Sequence, residues 1–341
     1  MNKLVVTFYN VGHGNCTHII TPTNQHILVD IGSLEEYSIS EFLRTISGQI
    51  DMLHLTRPHK DHLYDLARLK EVGLSPRILS IYRRAFPVKH LYNQRLYNSS
   101  NNQRQITKWQ LQQSLDKKIQ QTANDFYNIY TMPVSWNSNP LNPEYNSGVT
   151  IKIDFPPNKY INPDDQNSYS SLISIEYYDV KILLTGDNNR DMLKERILDD
   201  TSDLYSLSQY NLFENSLRAR NWDVNLDHYR LGVKKNSFTD FIMNHHVLLA
   251  PHHGRTTDFC KEFFDLVNPN LTIVSDKSIE YDSQDTTSDV YNNNNKKGLV
   301  VNKMERKVLT TRKDGTIKLM IYENEEYEIN TGIKGSFYGY D

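Results

Sequence analysis

Cysteines are nearly absent from the sequence, which has only two, Cys16 and Cys260, among 341 residues. Two cysteines cannot form the disulfide framework of a small secreted domain, and they fit a reducing compartment. No window contains the roughly 20 apolar residues that cross a membrane, and the N-terminal residues lack the pattern of a signal peptide. We therefore expect a soluble, cytoplasmic protein with no membrane partner, while the sequence leaves protein partners unknown.

A large excess of charge of one sign is also missing, since 38 Lys and Arg face 41 Asp and Glu, a net charge of -3. No global field attracts nucleic acid, so any contact with a polyanion must be local. The chain is longer than most single domains, but folds with central sheets reach this length by inserting segments into one core. We predict a single domain over residues 1–341.

Runs of β-branched and aromatic residues, separated by Gly, Pro and Asn, predict strands joined by turns. In the first half they are Leu4 to Tyr9, Thr17 to Thr21, His26 to Asp30, Met52 to Leu55 and Arg77 to Tyr82. In the second half they are Val149 to Asp154, Leu172 to Tyr177, Val180 to Leu184, Val247 to Ala250 and Leu271 to Val274. Each face of such sheets needs helices to cover it.

One amphipathic helix is predicted between the first-half strands, because apolar residues recur at spacings of three and four from Leu63 to Val72. Gly73 provides its stop, and His62 is expected at its start.

Two segments are too long for ordinary connections and are predicted to be insertions. Residues 83–147 are rich in Asn, Gln and Tyr and include a predicted helix from Thr107 to Tyr130. Basic and aromatic residues alternate there, as in proteins that bind single-stranded nucleic acid, although a solvated helical face explains the same pattern. Residues 188–244 open with a helical pattern and are predicted to form a helical insertion.

Three of the predicted strands end in residues that can bind a metal ion. The first is followed by Arg57, His59, Lys60, Asp61 and His62, the second by Asp187, and the third by His252 and His253. Imidazole and carboxylate together suit zinc, manganese or iron, and a loop at a strand end lets such side chains converge. Adjacent residues of an extended strand point in opposite directions, so one of the two adjacent histidines is expected to face the metal.

The order of these loops resembles the metallo-β-lactamase superfamily, whose signature is His-x-His-x-Asp-His, then a lone His, a lone Asp and a lone His. The likeness is closest to the branch that includes the metallo-hydrolase domain of the bacterial competence DNA-uptake channel. It is carried by Val11 to Cys16, Leu28 to Ser33, Thr185 to Asp187 and Pro251 to Gly254, and residues 307–322 resemble the closing hairpin of that branch. The resemblance implies an α+β fold, an αβ/βα sandwich with its metal at the common edge of two sheets.

Two histidines of that signature are missing here. The first position holds Arg57, and the lone middle His has no obvious counterpart in residues 164–168, where Asn167 is predicted to contact the substrate or the ligands. The first metal position of the family therefore keeps only His59. The second would take Asp61, His62, Asp187 and either His252 or His253. We expect one complete site for a divalent cation, zinc or manganese, and a doubtful second site.

Arg57 has two interpretations, since a guanidinium stays protonated and has no lone pair for a metal. Its planar fork suits an oxyanion, so it can hold a phosphate or carboxylate of the substrate. Alternatively, it neutralises a carboxylate-rich pocket that has lost a cation, which would leave the site inactive.

Further residues gain a role from the resemblance. Asp30 is expected to support the metal loop, and His13 is predicted to be a pocket residue or an extra ligand, although isolated histidines are often structural. Gly12, Gly14 and Gly32 are expected to let the backbone pass close to a cation or an anionic ligand, unless they serve only as turn residues.

Asp258 and Asp276 follow the last ligand loop. Each could be an acceptor that orients an imidazole. Alternatively, Asp258 is a charge at the start of a helix and Asp276 is a turn residue.

The predicted function is a metal-dependent hydrolase, with a phosphodiester of nucleic acid or a nucleotide as the preferred substrate because that branch includes nucleases. A divalent metal lowers the pKa of water and stabilises the developing oxyanion. Asp61 would orient the water, and Arg57 or Lys60 would supply a second positive charge. The alternatives are a hydrolase of a small ester, lactone or phosphonate, and a non-catalytic module that binds nucleic acid or a protein.

Overall fold

The computed structural model describes residues 2–33, 38–57, 59–74, 76–81, 141, 143–162, 165–202, 238–277 and 288–332. The strands of these ranges are β1 Lys3–Phe8, β2 Thr17–Ile20, β3 His26–Val29, β4 Ile50–Leu55, β5 Pro76–Ile81, β6 Thr150–Asp154, β7 Leu172–Tyr177, β8 Val180–Leu184, β9 Val247–Leu249, β10 Leu271–Val274, β11 Leu299–Val301, β12 Met304–Arg306, β13 Val308–Thr310, β14 Ile317–Tyr322 and β15 Tyr327–Thr331. The α-helices are α1 Ile39–Ile46, α2 Lys60–Leu63, α3 Leu66–Glu71, α4 Arg190–Ser202, α5 Phe238–Ile242, α6 Lys261–Val267, α7 Asp289–Asn294 and α8 Thr311–Asp314. None of these helices is long and apolar enough to cross a membrane.

The first sheet has the strand order β15-β14-β1-β2-β3-β4-β5. Its strands pair antiparallel except for β3 with β4 and β4 with β5, which are parallel. All six residues of β4 are buried, as expected for a parallel strand covered on both faces.

The second sheet has the order β13-β10-β9-β8-β7-β6. Strands β13, β10, β9 and β8 are parallel to one another, and β7 runs antiparallel to both of its neighbours. Parallel β8 and β9 therefore end at the same edge of the sheet.

The two sheets pack face to face, because alternate side chains of both enter one apolar core that includes Val6 and Ile27 from the first sheet and Ile175 and Leu249 from the second. Helices cover the two outer faces. Apolar residues of α1 and α3 pack on the first sheet, and those of α4, α5 and α6 pack on the second. The four layers form an α+β, αβ/βα sandwich, so the predicted fold class is confirmed.

The predicted closing hairpin over residues 307–322 is wrong. Strand β13 pairs with β10 in the second sheet, whereas β14 pairs with β1 in the first, and α8 connects them. The hairpin is instead formed by β14 and β15, where Leu319 lies opposite Ile329. Residues 308–322 therefore cross from one sheet to the other and join the two layers.

The helix predicted from Leu63 to Val72 is interrupted, because Asp65 takes part in other contacts. Its backbone N–H donates to the carbonyl of Ile31, and its carboxylate accepts hydrogen bonds from the hydroxyl of Ser38 and the N–H of Ser40 at the start of α1. The chain forms α2 and α3 instead. His62 lies within α2 rather than at the start of a longer helix.

The two predicted insertions fall partly outside the described residues. The helix expected from Thr107 to Tyr130, and almost all of the segment 83–147, lie outside them. The described part of the segment 188–244 contains α4 and α5. Leu193 of α4 and Ile242 of α5 pack in the apolar cluster between the second sheet and its helices. These two helices therefore form part of the sandwich.

Candidate metal centre

The three predicted ligand loops meet at one edge of the sandwich. They follow β4, β8 and β9, and they bring together Asp61, His62, Asp187 and His253, whose ligand atoms all lie within 4.8 Å of one another. Parallel β8 and β9 end side by side, which places Asp187 next to His253. The hydrogen bond from the N–H of Ser171 in the second half to the carbonyl of Thr56 in the first holds the sheets together beside this cluster.

Distances within the cluster are short. Nε2 of His62 lies 3.0 Å from Oδ1 of Asp187 and 3.9 Å from Oδ2 of Asp61. Nε2 of His253 lies 3.1 Å from Oδ2 of Asp61 and 3.5 Å from Oδ2 of Asp187. His62, Asp187 and His253 are buried, whereas the side chain of Asp61 is 17% exposed.

The donor set fits a divalent cation. Within the described part of the chain, neither oxygen of Asp187 nor Nε2 of His62 has a well-formed hydrogen bond, although all three atoms are buried. These atoms have close charged neighbours, but buried polar atoms without a well-aligned hydrogen bond are costly and call for an explanation. Two carboxylates and two imidazoles can hold zinc or manganese, and a cation that displaces the proton from Nε2 of His62 would satisfy these atoms.

The charges of the cluster shift the pKa values of its members. Burial alone would raise the pKa of Asp187, but the Arg57 guanidinium and the imidazoles of His253 and His62 hold it well below its usual range. The pKa of Asp61 is lowered in the same way, chiefly by Arg57 and His62. Burial would lower the pKa of His62, but the carboxylates of Asp30 and Asp187 raise it to about 10.

Asp30 lies behind the cluster and orients His62. Its Oδ2 is 2.7 Å from Nδ1 of His62, and its carboxylate also accepts hydrogen bonds from the N–H and hydroxyl of Thr56, at 2.8 and 2.7 Å. Nδ1 of His62 is therefore engaged, and Nε2 faces the cluster. This is the carboxylate and imidazole arrangement that fixes metal ligands in proteins.

The adjacent histidines do not point in opposite directions, so that expectation is wrong. Residues Pro251–Gly254 form a tight turn in which His252 and His253 both have positive φ, 47° and 55°, rather than an extended strand end. Both Nε2 atoms face Oδ2 of Asp187, at 3.7 Å for His252 and 3.5 Å for His253. Only His253 also reaches Asp61, and it is the member of the converging set.

Arg57 is buried in the cluster, with an exposed side-chain fraction of 2%. Its Nη2 lies 2.5 Å from Oδ2 of Asp187, 3.3 Å from Asp61 and 3.0 Å from Nδ1 of His59. Its Nη1 donates to Oδ1 of Asn167. These contacts support the interpretation that Arg57 neutralises the carboxylates, rather than that it reaches out to a substrate.

Asn167 contacts Arg57 and belongs to the segment 164–168, where no counterpart of the lone middle His is found. It belongs to the 3-10 turn Gln166–Tyr169, whose first turn is capped by the carboxylate of Asp165 at the N–H of Asn167, 3.0 Å away. The turn connects to β7, so the second sheet presents this amide to an arginine of the first.

The other predicted residues lie at the border of the cluster. His59 is 51% exposed, with Nδ1 2.6 Å from Oδ1 of Asp61. Nζ of Lys60 lies 5.2 Å from the centroid of the Tyr64 ring. The His13 ring lies 4.3 Å from that of His253, and its pKa is lowered to about 4, by burial first and then by His253.

Gly14 and Gly32 bring the first loops against the backbone of the segment that carries Asp61. A Cβ on Gly14 would lie 2.5 Å from the carbonyl oxygen of Asp61, and one on Gly32 would also collide with it. The N–H of Asn15 donates to the same carbonyl at 3.2 Å. Glycine at positions 14 and 32 thus lets the loops pack directly on the segment that carries Asp61.

Comparison with known proteins finds only distant structural likenesses. No protein-family model matches the chain, and no curated protein matches it. A protein described as a zinc-dependent hydrolase of the metallo-β-lactamase superfamily from Thermotoga maritima is 11% identical, with a TM-score of 0.34, over 90% of this chain and 97% of that one. The metallo-β-lactamase fold protein YhfI from Bacillus subtilis is 11% identical, with a TM-score of 0.36, over 82% and 88%.

A long form of RNase Z from yeast is 9% identical, with a TM-score of 0.35, over 84% of this chain and 39% of that one. The sandwich is a metallo-β-lactamase fold. Its two mixed sheets, their outer helices and the ligand loops at the common edge carry that assignment, whereas likenesses of this size assign no activity.

Three contacts of this metallo-β-lactamase fold carry little or no signal in the sequence. Oδ2 of Asp258 lies 2.7 Å from Nδ1 of His252, so Asp258 is an acceptor that orients this imidazole. The carbonyl of Ser275 accepts from Nδ1 of His253 at 2.9 Å, and a backbone acceptor leaves no trace in sequence. Asp276 instead pairs with Arg312 at 3.2 Å, and burial raises its pKa to about 6.

Proposed function

We propose that this protein is a metal-dependent hydrolase that holds one divalent cation, zinc or manganese, on Asp61, His62, Asp187 and His253. The observation that carries the proposal is the convergence of four ligand atoms from three separate loops within 4.8 Å. Buried Asp187 oxygens without a well-formed hydrogen bond in the described residues support it, since a cation would satisfy them.

A divalent cation bound there would lower the pKa of water and polarise a phosphoryl or carbonyl oxygen of the substrate. The residues of the chain supply orientation. Asp61 is the most exposed of the four, so its carboxylate is placed to accept a hydrogen bond from an incoming water and to orient it. Asp30 fixes the ring of His62, and the carbonyl of Ser275 fixes that of His253. Lys60 remains a candidate for a charge contact with the substrate.

The proposed substrate is a phosphodiester in nucleic acid or a nucleotide. Basic side chains act on two residues near the cluster: Arg255 lowers the pKa of His13, which packs near His253, and Arg312 and Lys313 lower that of Asp276 against the effect of burial. Positive charge near the site favours an anionic substrate over a neutral ester. Kinship with the competence metallo-hydrolase branch, through the glycine loops and the ligand loops, is part of this proposal.

The test measures turnover and metal content together. Purified protein is assayed with zinc or manganese on bis(p-nitrophenyl) phosphate, single-stranded DNA and RNA, cyclic dinucleotides and p-nitrophenyl acetate. Asp187→Asn is expected to lose both metal and turnover, whereas the exposed Asp199→Asn on α4 should keep both. Hydrolysis of the acetate alone would favour the small-ester alternative, and full activity of Asp187→Asn would contradict the proposal.

A second candidate is a non-catalytic binding module, because Arg57 already contacts both Asp61 and Asp187. An arginine in that position can compensate the carboxylates without any metal. Binding of single-stranded nucleic acid without turnover, in protein that contains no metal after incubation with zinc or manganese, would favour the module over the hydrolase.

A further inference from the structure

A second set of metal-binding atom types surrounds the guanidinium of Arg57. Nη2 has the Nδ1 of His59 at 3.0 Å, the carboxylate of Asp61 at 3.3 Å and Oδ2 of Asp187 at 2.5 Å, while Nη1 donates to Oδ1 of Asn167. An imidazole nitrogen, two carboxylates and an amide oxygen are ligands that divalent cations take in proteins. Here they enclose a cation that belongs to the chain.

Two carboxylates are shared between this set and the converging cluster. Asp187 presents Oδ1 to His62 and Oδ2 to Arg57. Asp61 presents Oδ1 to His59 and Oδ2 to His253. Carboxylates that divide their oxygens in this way lie between two adjacent positive positions, as they do in sites with two metals about 3.5–4 Å apart.

The position around Arg57 is closed to a second ion while the arginine is there. Arg57 is 2% exposed and Asp187 is fully buried. A guanidinium remains protonated at any pH at which the protein folds, so its charge cannot be titrated away. A divalent cation could enter only by displacing the whole side chain from its buried ion pairs.

We propose that Arg57 is a built-in cation that fills a second metal position formed by His59, Asp61, Asp187 and Asn167. The proposal rests on the proposed function for the first ion. The protein then binds a single metal ion, although its donor atoms are arranged for two. The second positive charge is the guanidinium of Arg57, which is part of the chain. Arg57 is thus a positioning residue for the carboxylates, and Asn167 is its partner.

Metal stoichiometry tests this directly. Metal-free protein is incubated with excess manganese, freed of unbound ion, and analysed for metal per chain. The wild type is expected to bind one equivalent. Arg57→His/Asn167→His, which replaces the guanidinium and its partner with two imidazoles, should bind two. Arg68→His, which removes an exposed arginine on α3, is the matched control and should stay at one.

Electron paramagnetic resonance of the manganese distinguishes a neighbouring pair from a distant ion. Two ions that share Asp61 and Asp187 should show exchange coupling in the double variant, whereas the wild type should give the six-line signal of an isolated ion. Two equivalents in the wild type, one equivalent in the folded double variant, or two uncoupled ions would each overturn the inference.

The single variant Asn167→His keeps the test decisive if the double variant does not fold. With Arg57 still in place it should bind one equivalent, and a second equivalent would show that Arg57 does not occupy the position. Absence of metal from the wild type is a separate outcome, because it contradicts the proposed hydrolase while coupled pairs in the double variant would still support the second position.

Discussion

Nδ1 of His62 lies 2.7 Å from Oδ2 of Asp30, a carboxylate that lies outside the converging ligand set. Asp30→Asn removes the charge that fixes the imidazole with Nε2 toward the cluster. Affinity for zinc is expected to fall about 10–100-fold, the usual effect of losing a residue that orients a metal ligand. Competition with a chromogenic chelator measures it, and unchanged affinity would show that the His62 ring is held by other contacts.

The two adjacent histidines should differ in their effect on metal binding. His253 reaches both Asp61 and Asp187, whereas Nε2 of His252 lies 3.7 Å from Asp187 and its Nδ1 is held by Asp258. His253→Ala is expected to lower zinc affinity at least about 100-fold, and His252→Ala about tenfold or less. The same chelator competition compares them, and the reverse order would assign the ligand to His252.

Without metal, Arg57 should be essential for stability. Arg57→Met leaves buried Asp187 without its cation, and breaking a buried pair from one side costs about 3–5 kcal/mol. Urea denaturation in the presence of chelator measures the loss. Arg68→Met removes a pair in which both partners are exposed, so it should change stability little. Equal losses in the two variants would mean that the Arg57 contacts contribute nothing specific.

Gly14 should tolerate no side chain. A Cβ there would lie 2.5 Å from the carbonyl oxygen of Asp61, which is backbone and cannot turn away. Gly14→Ala is expected to cost more than about 2 kcal/mol and to weaken metal binding by moving Asp61. Gly48→Ala is the control, because a Cβ there meets nothing within 4 Å, and its effect should stay within about 0.5 kcal/mol. Similar effects in both would contradict this packing.

Stability should fall in mild acid because His54 is buried in its neutral form. Its nitrogens bond the hydroxyls of Ser80 and Ser171 at 2.9 and 2.7 Å, and burial lowers its pKa to about 4. His54 binds a proton more tightly in the unfolded chain than in the folded protein. Its contribution to the free energy of unfolding is therefore fully present above about pH 6.5 and is lost as the pH falls toward 4. The full contribution is about 3 kcal/mol.

Denaturation midpoints at pH 7 and pH 5 test this effect. His54→Asn should be less stable than the wild type at pH 7 and should lose less stability on acidification. An identical loss in both proteins would assign the acid sensitivity to other groups.

Local patterns predicted the strands and the ligand loops well. Strands β7, β8 and β10 begin and end where the runs of mainly apolar residues do, and most of their residues are buried. The placement of Asp61, His62 and Asp187 is likewise a local property, since each lies within a few residues of the end of a strand that is largely buried.

Long-range pairing decided what the sequence alone could not. Two strands separated by a short polar segment give the same pattern for a hairpin and for a crossover, and only the pairing of β13 with β10 and of β14 with β1 separates the two. The contact of Arg57 with Asn167 spans 110 positions and has no local signal. The orientation of His252 and His253 depends on their positive φ, which nothing in the residue type requires.

Strand β1 lies between β2 and β14, and Lys3 is paired with Tyr322, 319 residues later (322 minus 3). On a ribosome that adds roughly 5–20 residues per second, β1 therefore waits about 15–60 s for this neighbour. Throughout that time the backbone groups on one side of an apolar strand have no partner from this sheet and can pair with another nascent chain. Expression yield should thus depend on chaperones that shield this edge until synthesis has passed β14.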